Sequence, residues 1–341
     1  MTTPGLFWSL IALGAAAVLS AAITKAIWPL LQRHALARPN ARSSHRTPTP
    51  QGAGIAVIAA TFFVAVAIMT WSDAAGMTIP VTVPAATLFI AIIGLADDIK
   101  SIEVLPRLLL QAAAVAAIVI TASSDLRIFA PCPLWIERAI LLLAGLWFVN
   151  LVNFMDGLDW MTVAEVVPVT AAIVILGTLG ELPASTTVIA AALCGAMLGF
   201  APFNRPIAKV FLGDVGSLPI GLLLGWCLLQ LAWHQQLIAA LLLPLYYLLD
   251  TTVTLLRRMI RGEPFWAAHR THFYQRATDN GFTVRRVVGE VFALNIALAA
   301  LAIGSTAASP VAIKILLLAI GGIASSALMF RFSRRQIGTR S

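Results

Sequence analysis

Long apolar runs separated by short polar stretches dominate the chain. An α-helix rises about 1.5 Å per residue, so roughly 20 largely apolar residues cross a hydrocarbon layer about 30 Å thick. Eleven stretches meet or approach that length: 7–31, 52–71, 79–96, 107–123, 138–154, 162–179, 186–201, 217–233, 236–256, 287–306 and 311–330. The pattern predicts an all-α, polytopic integral membrane protein with about eleven transmembrane helices in a single transmembrane domain over 1–341. The first run has no positive n-region and no small-residue cleavage site, and it is too long for a signal peptide, so it is read as the first span.

Composition agrees. Hydrophobic residues make up 60% and charged residues 11%, and the mean hydropathy is +0.90, more than one water-soluble core accommodates. The formal charge of +8 would suggest nucleic acid for a soluble chain, but here its distribution carries the information. With the N-terminus outside, alternate connections and the tail hold 19 of the 23 basic residues, seven of them Arg in a loop at 257–286. Only Arg127 and Arg138 fall on the other side. The positive-inside rule therefore predicts an outside N-terminus, a cytoplasmic C-terminus, the lipid bilayer as solvent and no nucleic-acid partner. Cys132, Cys194 and Cys227 have no paired spacing and imply neither a disulfide framework nor a metal site.

The outer connections are featureless, whereas the inner ones carry chemistry. At the inner end of the third span, Asp97 and Asp98 are adjacent carboxylates at a depth that is costly without a cation or donors, with Lys100 following. At the end of the fifth, Asn150, Asn153, Asp156 and Asp159 recur every third position. Steps of three fan side chains across half a helix, so the helix is expected to end near Asp156, with Gly157 permitting the turn and all four residues reaching one cavity. Capping explains Asp156-Gly157 alone but not two asparagines within an apolar helix. Before the eighth span, Phe211-Leu212-Gly213-Asp214-Val215-Gly216-Ser217 has the glycines and serine that let a backbone approach a phosphate at a helix N-terminus. Its Asp214 suits Mg²⁺, although an N-cap with a tight turn reads similarly. Asn204, in Pro202-Phe203-Asn204-Arg205-Pro206, is by default a turn residue.

The basic loop holds His269, Arg270 and His272. Their spacing is not that of a zinc protease, and histidine with arginine and no nearby acids suits an anion such as a pyrophosphate. A loop resting on anionic lipid explains its arginines but not its histidines. A weaker inner segment runs from Arg42 through His45, Gln51 and Gly54.

In this order, the segments resemble the polyprenyl-phosphate N-acetylhexosamine-1-phosphate transferases, the superfamily that includes phospho-N-acetylmuramoyl-pentapeptide transferase. The likeness covers nearly the whole chain. The His269-Arg270-x-His272-x-Tyr274-Gln275 form is most similar to the branch that initiates O-antigen and related surface polysaccharides. Two departures stand out: Trp160 takes a position where glycine is common, and Gln51 and Ala53 replace a frequent basic residue and a glycine. The resemblance implies transfer of a sugar-1-phosphate from a UDP-N-acetylhexosamine to undecaprenyl phosphate, with release of UMP, at the cytoplasmic face of a bacterial inner membrane. It implies Mg²⁺, or alternatively Mn²⁺, held by Asp214 with Asn153, and Asp97 and Asp98 beside the metal and the lipid phosphate. Asn150, Asp156, Asp159, Asn204 and Phe211 are implied for the nucleotide, Phe211 by stacking on uracil. His269, Arg270 and His272, with Lys100 and Ser217, are implied for the diphosphate. A homodimer is compatible with the sequence.

A transporter is the main rival, because intramembrane polar residues and broken helices also serve transport. It predicts midplane polar residues and internal symmetry. The sequence reads as having neither, and Asp250, near the inner end of its span, is the notable acid within one.

Overall fold

The computed structural model describes residues 3–37, 48–71, 77–264 and 269–336. Among these residues thirteen helices follow one another: α1 (Thr3–His34), α2 (Gly54–Trp71), α3 (Thr82–Ile99), α4 (Val104–Thr121), α5 (Leu134–Met155), α6 (Met161–Thr178), α7 (Ala184–Phe200), α8 (Asp214–Trp233), α9 (Leu237–Leu242), α10 (Leu245–Ile260), α11 (Phe273–Asp279), α12 (Val284–Ala307) and α13 (Val311–Phe332). Among the described residues nine of these are long and apolar enough to cross a membrane, and α7 is an apolar helix one residue shorter than that limit. The helix expected over 236–256 is instead two, α9 and α10, divided at Pro244. Proline lacks the N–H that a continuing helix needs and crowds the preceding turn, so the chain bends there.

Helix α8 lies at the centre, with 89% of its most apolar window buried against protein, whereas only 11% of the α13 window is buried. It packs on α3 and α5, while α1 lies along α7, and α12 along α6. Large apolar side chains such as Phe63, Ile120, Leu143 and Ile323 project outward from the bundle, as a lipid-facing surface requires. The chain is a multi-pass membrane protein.

Among the described residues one short ladder accompanies the helices. Strand β1 (Leu36–Ala37) pairs antiparallel with β2 (Thr49–Pro50). Beyond it, Phe211 donates its N–H to Pro50 O, and Gly52 and Ala53 donate theirs to Phe211 O. Gln51 Nε2 also reaches Asp98 O at 3.2 Å. Residues 49–53 of the weak fifth segment therefore brace the loop that leads into α8. Its first part, Arg42 to Thr47, lies outside the described residues, as do Arg38 and Arg340 from the charge count.

Candidate active site

The site forms where the C-terminal ends of α3 and α5 meet the N-terminal end of α8. Gly94 makes the first contact possible: a Cβ there would overlap the Asp214 carbonyl and come within 2.7 Å of Val215 N. With the helices this close, Asp98 turns its carboxylate onto the open end of α8. Oδ1 accepts the Asp214 N–H and Oδ2 the Val215 N–H, both at 3.0 Å. A carboxylate at a helix N-terminus is favoured by the unpaired N–H groups and by the dipole. This corrects the expectation of a phosphate at that end. Its first two N–H groups are taken by Asp98, and those of Gly216 and Ser217 by Gly213 O.

Asp97 sits one residue earlier and faces differently. Its Oδ1 accepts the Ile102 N–H at 2.6 Å, and its Oδ2 pairs with Arg107 Nη1 at 2.7 Å. The Asp97 and Asp214 carboxyl groups are near enough to act on each other electrostatically. From α5, Asn153 Nδ2 donates to Asp214 Oδ1 and to Ser217 Oγ, each at 2.8 Å. Asp97, Asp98, Asp214, Asn153 and Ser217 are thus one cluster, drawn from three helix ends.

Two like charges this close repel unless a cation or a proton stands between them. Arg107 compensates one carboxylate from the side. Among the described residues no three His, Cys, Asp or Glu side chains form a ready cage for a metal ion. Mg²⁺ does not need one, since it takes one or two carboxylates and fills its octahedron with water and substrate phosphates. The donor set of Asp97 and Asp214 fits such an ion.

The remaining expected residues divide. Asp156 caps α5, half-buried, and accepts from the Thr162 hydroxyl. Burial pushes its carboxyl up to about 6; the Thr162 bond opposes this, and Asp98 and Asp159 add to it. Gly157 does not supply a left-handed turn; that conformation falls on Trp160, at φ 64°. Gly157 is needed because a Cβ would overlap the Tyr274 hydroxyl and lie 2.9 Å from Gln275 Nε2. A φ of 64° is one that glycine adopts without strain and a side-chain-bearing residue rarely does. Here the indole is held instead: its backbone N–H donates to Asn204 Oδ1 at 2.8 Å and its Nε1 to Ala201 O at 2.6 Å.

Asn204 also donates to Val210 O at 3.0 Å, and Asp159 Oδ2 accepts the Ala208 N–H at 3.0 Å. Both therefore brace the loop between α7 and α8. Phe211 is half-buried on the same loop. Asn150 is not brought to the cluster: its Nδ2 donates to Gln111 Oε1 on α4 at 2.7 Å and to Leu146 O. Lys100 is the exposed residue that closes α3.

The histidine loop packs over the end of α5. His269 and His272 stack with ring centroids 4.9 Å apart, and the Tyr274 hydroxyl donates to Phe154 O at 2.9 Å. The expectation that no acid is near this loop is corrected. Asp250, from α10, bonds His272 Nδ1 at 3.3 Å, and Asp279 pairs with Arg270 at 3.5 Å. Ala268, at the start of the loop, lies outside the described residues.

Among the buried polar residues within spans that went unnoticed in the sequence are Asn295 and Glu165. Asn295, twelve positions into α12, donates to Glu165 Oε2 at 2.7 Å and to Ala164 O at 2.9 Å. The signal was there, an acid inside an apolar run, but its partner lies 130 residues away.

The family model for glycosyl transferase family 4 matches residues 80–232, which hold the α3, α5 and α8 cluster but not the histidine loop. Decaprenyl-phosphate N-acetylglucosaminephosphotransferase of Mycolicibacterium smegmatis is 30% identical over 296 residues, covering 74% of this chain and 71% of that protein. The chain belongs to glycosyl transferase family 4. Within the family, a probable undecaprenyl-phosphate N-acetylglucosaminyl 1-phosphate transferase of Bacillus subtilis is 26% identical over 283 residues, covering 77% of this chain and 76% of its own. Phospho-N-acetylmuramoyl-pentapeptide-transferase of Streptococcus thermophilus is 39% identical over 111 residues, 32% of this chain and 31% of its own. This family member is accordingly a membrane-embedded phosphosugar transferase, and the cluster on the three helix ends is its candidate active site.

Proposed function

We propose that the chain transfers an N-acetylhexosamine-type sugar-1-phosphate from a UDP-sugar to a polyprenyl phosphate, undecaprenyl phosphate by preference, with release of UMP. The reaction would initiate a cell-envelope polysaccharide of the O-antigen kind. The observation that carries this reading is the carboxylate cluster where three helix ends meet, with Asp98 and Asn153 bonded to Asp214 and Asp97 one residue from Asp98. Names of the relatives support the same transfer.

In this reading Asp97 and Asp214 hold Mg²⁺, or Mn²⁺, with Asn153 and Ser217 beside them. A cation bound there supplies neutralisation of the diphosphate, the usual need in phosphoryl transfer. Asp156, from the end of α5, and Phe211 face the nucleotide. His269, Arg270 and His272 meet the diphosphate from above the α5 end, where charge-assisted donors suit phosphate oxygens. A monoester phosphate is largely deprotonated near neutral pH, so Asp97 acts by positioning more than by removing a proton.

The acceptor's chain has a place as well. An apolar cavity of about 230 Å³ is lined by Val115, Phe148, Val149, Gly221, Gly225 and Leu241, among others. Val149 and Gly221 stand one turn deeper than Asn153 and Ser217 on the same helices, about 6 Å along the axis. A prenyl chain lying there would present its phosphate to the cluster. The basic connections share the cluster's end of the bundle, which by the positive-inside rule is the cytoplasmic side of the inner membrane, where nucleotide sugars are made.

The test is UMP release by purified protein with polyprenyl phosphate and a panel of UDP-sugars. One or more UDP-N-acetylhexosamines should yield UMP only with the lipid and Mg²⁺ present. Failure of every sugar, or an unchanged rate after chelation, would reject the reading.

A further inference from the structure

The geometry points to Asp250 as a positioning residue of the transfer reaction, acting through His272; this rests on the function proposed above. Asp250 lies on α10, is fully buried, and receives five donors. Two come from its own helix at i−4 and i+4: the Tyr246 hydroxyl at 3.1 Å and the Thr254 hydroxyl at 3.3 Å. Three come from the histidine loop: His272 Nδ1 at 3.3 Å, Phe273 N–H at 3.0 Å and Tyr274 N–H at 3.1 Å. Only a carboxylate accepts at both oxygens. An asparagine would set an amide N–H₂ against these donors, leaving a buried donor unpaired.

The arrangement orients the imidazole. With Nδ1–H donated to Asp250, Nε2 is the ring nitrogen left for a ligand. His269 stacks on His272, so its ring inherits the same placement. The two N–H groups held by Asp250 fix the start of α11, and Tyr274 fastens that helix to Phe154, one residue beyond Asn153. Asp250 therefore sets how the histidines stand over the cluster without itself belonging to it.

A double-mutant cycle separates positioning from general support. Asp250→Asn should lower kcat/KM for the UDP-sugar about 10–100-fold, the range for losing a carboxylate that orients a functional histidine. In a His272→Gln background the same change should matter less than about threefold, because the group it orients is gone. Additive losses, or an Asp250→Asn enzyme equal to wild type, would overturn the proposal. If the asparagine variant does not accumulate, Asp250→Glu keeps the charge and displaces it by one methylene, and it should show the same non-additivity.

A second readout needs no substrate. His272 is 2% exposed and should resist diethyl pyrocarbonate in the wild type but react in either Asp250 variant, read by mass spectrometry of its peptide. Equal protection in wild type and variants would overturn the proposal even if UMP is released. A wild type that releases no UMP would reject the function while this measurement still decides whether Asp250 holds His272.

Discussion

Replacing Gly94 by alanine tests how the site is assembled. In an unobstructed helix this change stabilises by up to about 1 kcal/mol, because glycine is the poorer helix former. At Gly94 the new Cβ would overlap the Asp214 carbonyl and approach Val215 N at 2.7 Å, whereas ordinary contact is 3.4–4 Å. Helices α3 and α8 must therefore part by about 1 Å or more, with an overpacking cost of roughly 1–3 kcal/mol. That displacement stretches both 3.0 Å bonds from Asp98 to the start of α8 and draws Asp97 from Asp214. A misplacement of about 1 Å among reacting groups can cost about 10²-fold in rate. Gly94→Ala should accordingly lower UMP release by about two orders of magnitude and lower the thermal midpoint in detergent. Gly289→Ala, on α12 with open space around it, is the control and should leave both unchanged or raise the midpoint. Full activity with an unchanged midpoint in Gly94→Ala would refute the close-packed assembly.

Further outcomes follow from other contacts. Trp160→Gly should be more stable than Trp160→Ala by about 1 kcal/mol, since both lose the indole bond but only alanine keeps the strain of φ 64°; equal midpoints would remove that strain from the account. Asn295→Leu should destabilise by about 1–3 kcal/mol by leaving Glu165 unpaired, and adding Glu165→Leu should restore part of the loss. A single mutant as stable as the parent would show that this pair does not join α6 to α12. In a Cys132→Ser background, Ser101→Cys should resist an impermeant thiol reagent outside intact cells while Ser124→Cys reacts, both positions being exposed on the protein. The reverse pattern would invert the orientation.

How far the sequence led depends on the distance over which each feature is determined. Spans and the polar ends of α3, α5 and α8 were legible, because burying Asp97, Asn153 or Asp214 at the end of an apolar run is costly and needs a reason. The break at Pro244 had a local signal that an apolar run of spanning length concealed. Partners were not legible, because they depend on which helices pack. Asp98 caps α8 across 116 residues, Asn150 turns to Gln111, Asp250 answers His272, and Glu165 answers Asn295. A three-residue spacing places Asn150 and Asn153 on neighbouring stripes of α5, and only the packing of α4 and α8 decides that they serve different neighbours. Trp160 shows the same limit: the sequence marks it as a departure from glycine, but only the packing turns its indole to the Ala201 carbonyl.

The central claim is that Asp214, facing Asp97, holds the cation that makes phosphosugar transfer possible. Its most direct test is the rate of UMP formation from a UDP-N-acetylhexosamine and polyprenyl phosphate, measured across a Mg²⁺ titration for wild type and Asp214→Asn. The wild type should depend on both Mg²⁺ and lipid, and the variant, still inserted in the membrane, should be slower by about 10³-fold or more. Substantial turnover by Asp214→Asn, or a wild-type rate indifferent to chelation, would contradict the account.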